Sequence, residues 1–182
     1  MIPERLSRLR REMEQRRIDV YVVPTADFHE SEYVGAHFKA RSYITGFTGS
    51  AGTAIITMTE AGLWTDARYF LQAKHQLENT GVTLYRMGEE GVPTIMEYLR
   101  SALPEGGTLG FDGRVINARL GAEFLALAEK KNAKLAVGED LVGIIWDDRP
   151  ELPHAPVRIL TAEYSGRSTA DKLADVRAEM EK

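Results

Sequence analysis

Gly52-Thr53-Ala54-Ile55-Ile56-Thr57 and Gly62-Leu63-Trp64-Thr65, joined by Thr59-Glu60-Ala61 and followed directly by Asp66, are the residues on which the fold turns. Both runs are rich in β-branched and other apolar side chains, and the link between them is short and turn-like, so they predict a β-hairpin. After Asp66, the positions Tyr69, Phe70, Ala73 and Leu77 recur near helical spacing, so the second strand leads into a helix capped by Asp66 and reaching about Leu77. Upstream, Leu6, Leu9 and Met13 mark an amphipathic helix over residues 3–17, and the apolar run 18–23, stopped by Pro24, reads as a buried strand. Downstream, strands at 82–87, 108–112 and 134–137 alternate with helices at 93–103 and 118–132. A leading hairpin followed by strand and helix in alternation predicts an α/β fold, a mixed β-sheet flanked by helices.

The regions outside this frame read differently. Residues 25–50 are polar, contain Gly35, Gly46 and Gly49, and show no long periodic segment, so they are expected to be an irregular stretch. Leu141 to Trp146 is a short apolar run, and Pro150, Pro153 and Pro156 then predict a stiff, extended connector. Beyond it, Ser168 can cap a helix carrying Leu173, Val176 and Met180 on one side. That helix has nothing within the chain to pack against, so the expected division is a first domain over residues 1–160 and the linker and truncated start of a second over residues 161–182.

Composition bounds the function. The 182 residues are 43% hydrophobic and 27% charged, an ordinary globular mixture able to bury one real core. With 23 Lys+Arg against 27 Asp+Glu the net charge is −4, and no basic run is longer than a pair such as Arg10-Arg11 or Arg16-Arg17, so a nucleic-acid partner is not expected. Cysteine is absent, which removes disulfides, thiolate nucleophiles and Cys-ligated zinc. No apolar stretch approaches the ~20 residues of a membrane span, and the N-terminus lacks the apolar centre of a signal peptide, so a cytoplasmic address without membrane contact is expected.

Several constellations could carry chemistry. Asp27, His29, Glu30 and Glu32 could ligate a divalent metal if the loop folded back on itself, or simply scaffold that loop. Gly46-Phe47-Thr48-Gly49-Ser50-Ala51-Gly52 has the glycine density of a phosphate cradle but leads into a strand rather than a helix, which favours a tight turn. Asp27, Asp66 and Asp112 each follow a predicted strand, the arrangement of a two-metal nuclease and equally of ordinary caps. No Gly-x-Ser-x-Gly elbow is present, which removes a serine hydrolase of that type. In Trp64-Thr65-Asp66-Ala67-Arg68-Tyr69-Phe70, an arginine in a helix's first turn opposes the macrodipole, so Arg68 has either a local ion pair with Asp66 or Glu60 or a ligand whose carboxylate or peptide carbonyl suits its forked donors.

Four ordered motifs carry a family resemblance: Asp27-x-His29-x-Ser31-Glu32-Tyr33, the run from Ser42 through Gly46-Phe47-Thr48-Gly49-Ser50-Ala51-Gly52-Thr53-Ala54 to Thr57, Leu63 to Ala73, and Leu141-Val142 to Trp146-Asp147-Asp148-Arg149-Pro150. In these the chain resembles the N-terminal domain of three-domain Xaa-Pro aminopeptidases, the aminopeptidase P branch of the creatinase/prolidase/methionine aminopeptidase (M24) metallopeptidases. It departs from the family's Thr-Asp-Gly-Arg at Ala67, a change a helical segment tolerates.

The resemblance implies a creatinase/prolidase N-terminal domain with a ribonuclease-H-like motif. In the parent it implies removal of the N-terminal residue that precedes proline, by two divalent metal ions, manganese by the family's habit, held in a separate catalytic domain. The ligands of that centre, two Asp, one His and two Glu in family motifs, do not occur here, so no catalytic or metal-binding residue is expected in this chain. Arg68 is the residue carried over, as a contact to bound peptide. The partners implied are a peptide with proline second and the following domains of the same chain; a homodimeric parent is left open. The contrasting reading is a catalytically inactive, peptidase-like binding module for peptides or proteins, and the presence of the five metal ligands in a continuing reading frame separates the two. If other domains cover this one, Phe47, Trp64 and Tyr69 should present apolar surface.

Overall fold

Strand β1, Val20–Pro24, is the centre of the molecule, and the computed structural model describes all 182 residues around it. On one side β1 pairs antiparallel with β2, Thr53–Thr57, and on the other parallel with β5, Thr108–Phe111. The predicted hairpin forms: β2 is antiparallel to β3, Ala61–Thr65. The edges are β4, Thr83–Arg86, parallel to β3, and β6, Lys134–Ala136, parallel to β5. The strand order is therefore β4-β3-β2-β1-β5-β6, with β2 alone running against the rest. A central strand covered on both faces has to be apolar throughout, which is why the run ending at Val23 shows no alternation.

Helices cover both faces. Tyr21 and Val23 of β1, with Ala54, Ile56 and Leu63, pack under α1 (Ile2–Arg16), α2 (Ala40–Thr45), α3 (Phe70–Gln76) and α6 (Leu141–Ile145). Val20 and Val22, with Ile55, Trp64, Leu109 and Phe111, pack under α4 (Ile95–Ala102) and α5 (Ala118–Lys130). Successive residues of one strand thus feed opposite cores, the period-2 signature of a two-sided sheet. Tyr21 ties the two ends of the chain's main body together: its hydroxyl donates to Glu139 O at 2.8 Å and accepts from Leu141 N at 3.0 Å, and burial pushes its pKa up.

Two short helices were not expected. The supposedly irregular stretch 25–50 contains a 3-10 turn at Ala36–Phe38 and the helix α2, and the apolar run after Asp140 is the helix α6, with Asp140 Oδ1 accepting from Gly143 N at 2.8 Å. Each is too short for periodicity to register, and α2 buries Arg41 beside Ile44 and Thr45, so its inward face is not apolar. The Trp146-Asp147-Asp148-Arg149 motif closes this body. Trp146 stacks on Tyr43 at 4.5 Å between ring centres, Asp147 pairs with Arg8, and Arg149 pairs with Asp140 and donates to His37 O.

Two units are distinct, Met1–Glu151 and Leu152–Lys182. The second consists of an extended stretch, a one-turn helix α7 (Ala162–Ser165) and α8 (Thr169–Met180), capped by Ser168, whose hydroxyl accepts from Asp171 N at 3.1 Å.

Candidate active-site wall at the carboxyl end of the sheet

Because β2 alone is reversed, the carboxyl ends of β1, β3, β4 and β5 and the start of β2 lie along one end of the sheet. That is where α/β sheets bind ligands, since loops from adjacent strands diverge there and leave a crevice. A cleft of about 370 Å³ opens at this end, lined by Thr25 after β1, Glu32, Ser50, Thr53 and, after β3, Asp66 and Arg68.

Asp66 caps a 3-10 turn, Ala67–Tyr69, and α3 begins only after it. Its carboxylate takes three hydrogen bonds from one residue: Oδ1 accepts from Arg68 N at 3.1 Å and from Arg68 Nε at 2.9 Å, and Oδ2 from Arg68 Nη2 at 2.8 Å. The hydrogen bond to Arg68 draws the Asp66 carboxyl below its ordinary pKa and raises that of Arg68. Of the two explanations open for Arg68 from its place at a helix start, the local ion pair with Asp66 is formed, so its own cap residue neutralises it. The pair is nevertheless out at the opening, with the Arg68 side chain 65% exposed. Nη1 makes no hydrogen bond within the chain and remains a donor facing solvent.

The wall behind Arg68 is the glycine-rich loop. Gly46, at φ 80°, ends α2 in the left-handed region that favours glycine. Gly49 lies against two rings: a Cβ there would fall inside the Phe47 ring's envelope and 2.7 Å from Tyr69 Cδ1. Ser50 Oγ and the Tyr69 hydroxyl share a hydrogen bond of 2.7 Å, and the Arg68 guanidinium sits 5.3 Å above the Tyr69 ring. The phosphate-cradle pattern is thus a turn that seats Tyr69 beneath Arg68.

The residue that sequence reasoning missed is Arg41. It is buried to 3% exposure and forms no ion pair with a carboxylate; Nε donates to Thr25 Oγ1 at 2.9 Å, and Nη1 and Nη2 donate to the carbonyls of Phe47 and Gly49. Desolvation pushes its pKa down to about 10, still well above neutrality, so a full charge stays inside the protein to hold the loop's carbonyls. No periodic signal marks such a residue, although an arginine five residues before a glycine-rich turn without a nearby acid was the available hint.

Phe47 and Trp64 do not present the expected apolar surface: both are fully buried, and Tyr69 is half-buried. Phe47 fills the core below the loop, edge-on to Tyr69 at 5.8 Å. Trp64 stacks on Tyr85 at 4.0 Å and donates Nε1 to Pro93 O at 2.8 Å, so its one polar atom is satisfied internally.

The other two candidate aspartates are spent on their own loops. Asp27 Oδ1 accepts from His29 N at 2.9 Å and Ser31 N at 3.0 Å, and Asp112 accepts from Arg114 in the manner of Asp66. No three His, Asp or Glu side chains come together to hold a metal ion, so the residues present do not fit a di-metal centre and no step through one is assigned to them.

Comparison with known proteins agrees with this architecture. The family model of the Creatinase/Prolidase N-terminal domain matches residues 5–143. Proteins named Probable Xaa-Pro aminopeptidase P from Aspergillus niger and Penicillium rubens are each 44% identical over 181 residues, covering 98% of this chain and 29% of each relative. The X-prolyl aminopeptidase of Caenorhabditis elegans, described as a cytosolic enzyme with a di-nuclear active site, superposes with a TM-score of 0.86 over 100% of this chain and 31% of that one, at 29% identity. The N-terminal domain of the cytoplasmic peptidase PepQ from Mycobacterium tuberculosis H37Rv, at 24% identity and a TM-score of 0.56, shares the fold. The chain spans less than a third of the length of the Aspergillus niger and Penicillium rubens relatives and of the Caenorhabditis elegans enzyme. Its six-stranded mixed sheet, flanked by helices, is the sheet of this group, and the chain belongs to the creatinase/prolidase N-terminal domain family.

Proposed function

We propose that this chain is the non-catalytic N-terminal domain of an Xaa-Pro aminopeptidase, an enzyme that removes the residue preceding proline from peptide N-termini, and that it forms one wall of the substrate cleft with Arg68 as a peptide contact. The observation that carries this reading is the exposed Asp66–Arg68 pair at the carboxyl end of the sheet, oriented by three hydrogen bonds within its own turn and leaving Nη1 free. A guanidinium already neutralised by a bidentate carboxylate has little to offer a second carboxylate, and its spare N–H groups suit a neutral peptide carbonyl. Its position is set in advance by the turn, which lowers the entropy lost when substrate binds.

On this reading two divalent metal ions, which we assign as manganese, are held by residues outside this chain, and the whole enzyme acts in the cytoplasm. The cytosolic, di-nuclear relative supports that reading, and no helix in this chain is long and apolar enough to cross a membrane. The test is Arg68→Ala in the full-length protein. Loss of a charge-assisted hydrogen bond to substrate should lower kcat/KM on tripeptides and longer peptides by roughly 10- to 100-fold. An unchanged kcat/KM would reject the role of Arg68, and absence of Xaa-Pro hydrolysis by the full-length wild type would reject the enzyme.

A further inference from the structure

The cleft beside Arg68 does not end at the sheet. Thr53, Met87 and Ile95 line it and also line a second cavity of about 290 Å³ that opens between α4 and α5. The lining changes character on the way. Near Arg68 it is carboxylate, guanidinium and hydroxyl; beyond Ile95 it is Val92, Met96, Leu120 and Phe124, with Glu123 as its one charge. Thr94, also on this wall, has no polar group to spare. Its N–H and hydroxyl both donate to Glu97 Oε2 at 2.8 Å, and its hydroxyl accepts from Glu97 N, the capping box that starts α4. The loop that rims the cavity is pinned by Trp64, whose indole holds Pro93 O. The result is a pre-formed apolar depression joined end to end with a polar cleft, the combination in which one part of a ligand is oriented and another is desolvated.

We propose that this depression is an apolar subsite for the same peptide, receiving a Leu, Ile, Phe or Met side chain further along a chain whose backbone carbonyl is held at Arg68. This rests on the reading of Arg68 given above. Its volume is at the low end of the roughly 300–1,000 Å³ of small-molecule pockets, which suits one large side chain rather than a separate ligand. The neutral polar end, with Asp66 already cancelling Arg68, selects an uncharged backbone over an acidic ligand, so the two halves together describe a peptide. Two of the lining residues, Met87 and Met96, are unbranched and polarisable, which permits apolar side chains of different shapes and disfavours a charged one.

The six methionines provide the probe. The full-length protein, depleted of metal ions so that peptide binds without being cleaved and carrying ¹³C-labelled methionine methyls and ¹⁵N-labelled arginine, is titrated with the hexapeptide Ala-Pro-Ala-Ala-Ala-Ala and with versions in which one Leu is moved through the last four positions. The expected result is that one Leu position shifts the Met87 and Met96 methyls, leaves Met13 and Met58 still, and binds about tenfold tighter than the all-Ala peptide, the affinity that burial of most of a leucine side chain confers. Met96→Gln should abolish that preference and leave all-Ala binding unchanged. If Arg68 Nε–H moves with every peptide while the two methyls do not distinguish Leu from Ala, the subsite is wrong and the Arg68 reading stands. If the methyls respond and Arg68 does not, or if neither responds, the peptide is not held as described and both proposals fall.

Discussion

Asp66-Ala67-Arg68 and Asp112-Gly113-Arg114 are one local device used twice. Each follows a strand, each aspartate caps a 3-10 turn, and each carboxylate accepts from the N, Nε and Nη2 of the arginine two residues on, at 2.8–3.1 Å in both cases. Their surroundings differ. Asp112 is 12% exposed, and Arg114 also faces Asp140 at 3.8 Å; Asp140 in turn pairs with Arg149 and caps α6. The second turn is therefore braced against the end of the folded body, whereas Asp66 and Arg68 form no ion pair beyond their own turn. An exposed pair of that kind contributes little to stability, so the first turn is free to serve a ligand, and the second is structural.

The comparison is broken most directly at Asp140. Asp140→Ala removes the cap of α6, worth about 1 kcal/mol, and leaves the largely enclosed Arg149 without its carboxylate. A total loss of about 3 kcal/mol is expected in urea unfolding, with the unfolding slope unchanged. A loss no larger than that of Asp66→Ala would show that the bracing is not what separates the two turns.

The ground beneath the first turn is tested at Arg41. Arg41→Met leaves the carbonyls of Phe47 and Gly49 and the hydroxyl of Thr25 without their donor, while removing the cost of burying a charge. Since a buried unsatisfied acceptor costs about 1–3 kcal/mol and the desolvation relief offsets part of that, a net loss of about 2 kcal/mol is expected. The Tyr69 ring resonances should shift with it, because the loop that seats Tyr69 is released. Stability equal to or above wild type would mean that the loop holds itself and that the charge is dispensable.

These two sites also show what could be read in advance. The hairpin, the alternation after it and the Asp66 cap were legible because β-branched runs and helical spacing record burial directly in residue type. Arg41 and Asp140 were not, because they act through backbone carbonyls and short helices, and neither leaves a period in the sequence. Trp64 and Phe47 misled for a related reason: an aromatic near a loop is either interface or core, and the choice depends on partners such as Pro93 O and Tyr85 that lie more than twenty residues away. Arg68 stood out from its position at a helix start, and the local pair with Asp66, one of the two explanations its position allowed, is the one that forms.

A smaller difference separates the two arginines themselves. Arg114→Ala should cost about 1 kcal/mol, since Asp112 is mostly enclosed and loses the donors that accompany it, while Arg68→Ala should fall within about 0.5 kcal/mol of wild type. In the full-length protein the ranking should reverse for peptide hydrolysis, with Arg114→Ala near wild type. Equal effects on both readouts would dissolve the distinction.

The least expected change is in acid. Hydrogen bonds from Arg68 lower the folded pKa of Asp66 below its ordinary value of 3.8, so the charged form is favoured by folding. The pair's contribution is therefore complete above that ordinary value and is lost as pH falls through the lower, folded one. Because the pair stands in solvent, the effect on global stability is small, but the carboxyl carbon of Asp66 reports it residue by residue. In Arg68→Ala its titration midpoint should move up toward 3.8, whereas Arg114→Ala should leave it in place. A midpoint that ignores Arg68 would mean that the backbone N–H alone holds the carboxylate, and the guanidinium at the cleft would then lack the orientation that makes it a pre-set donor for a peptide carbonyl.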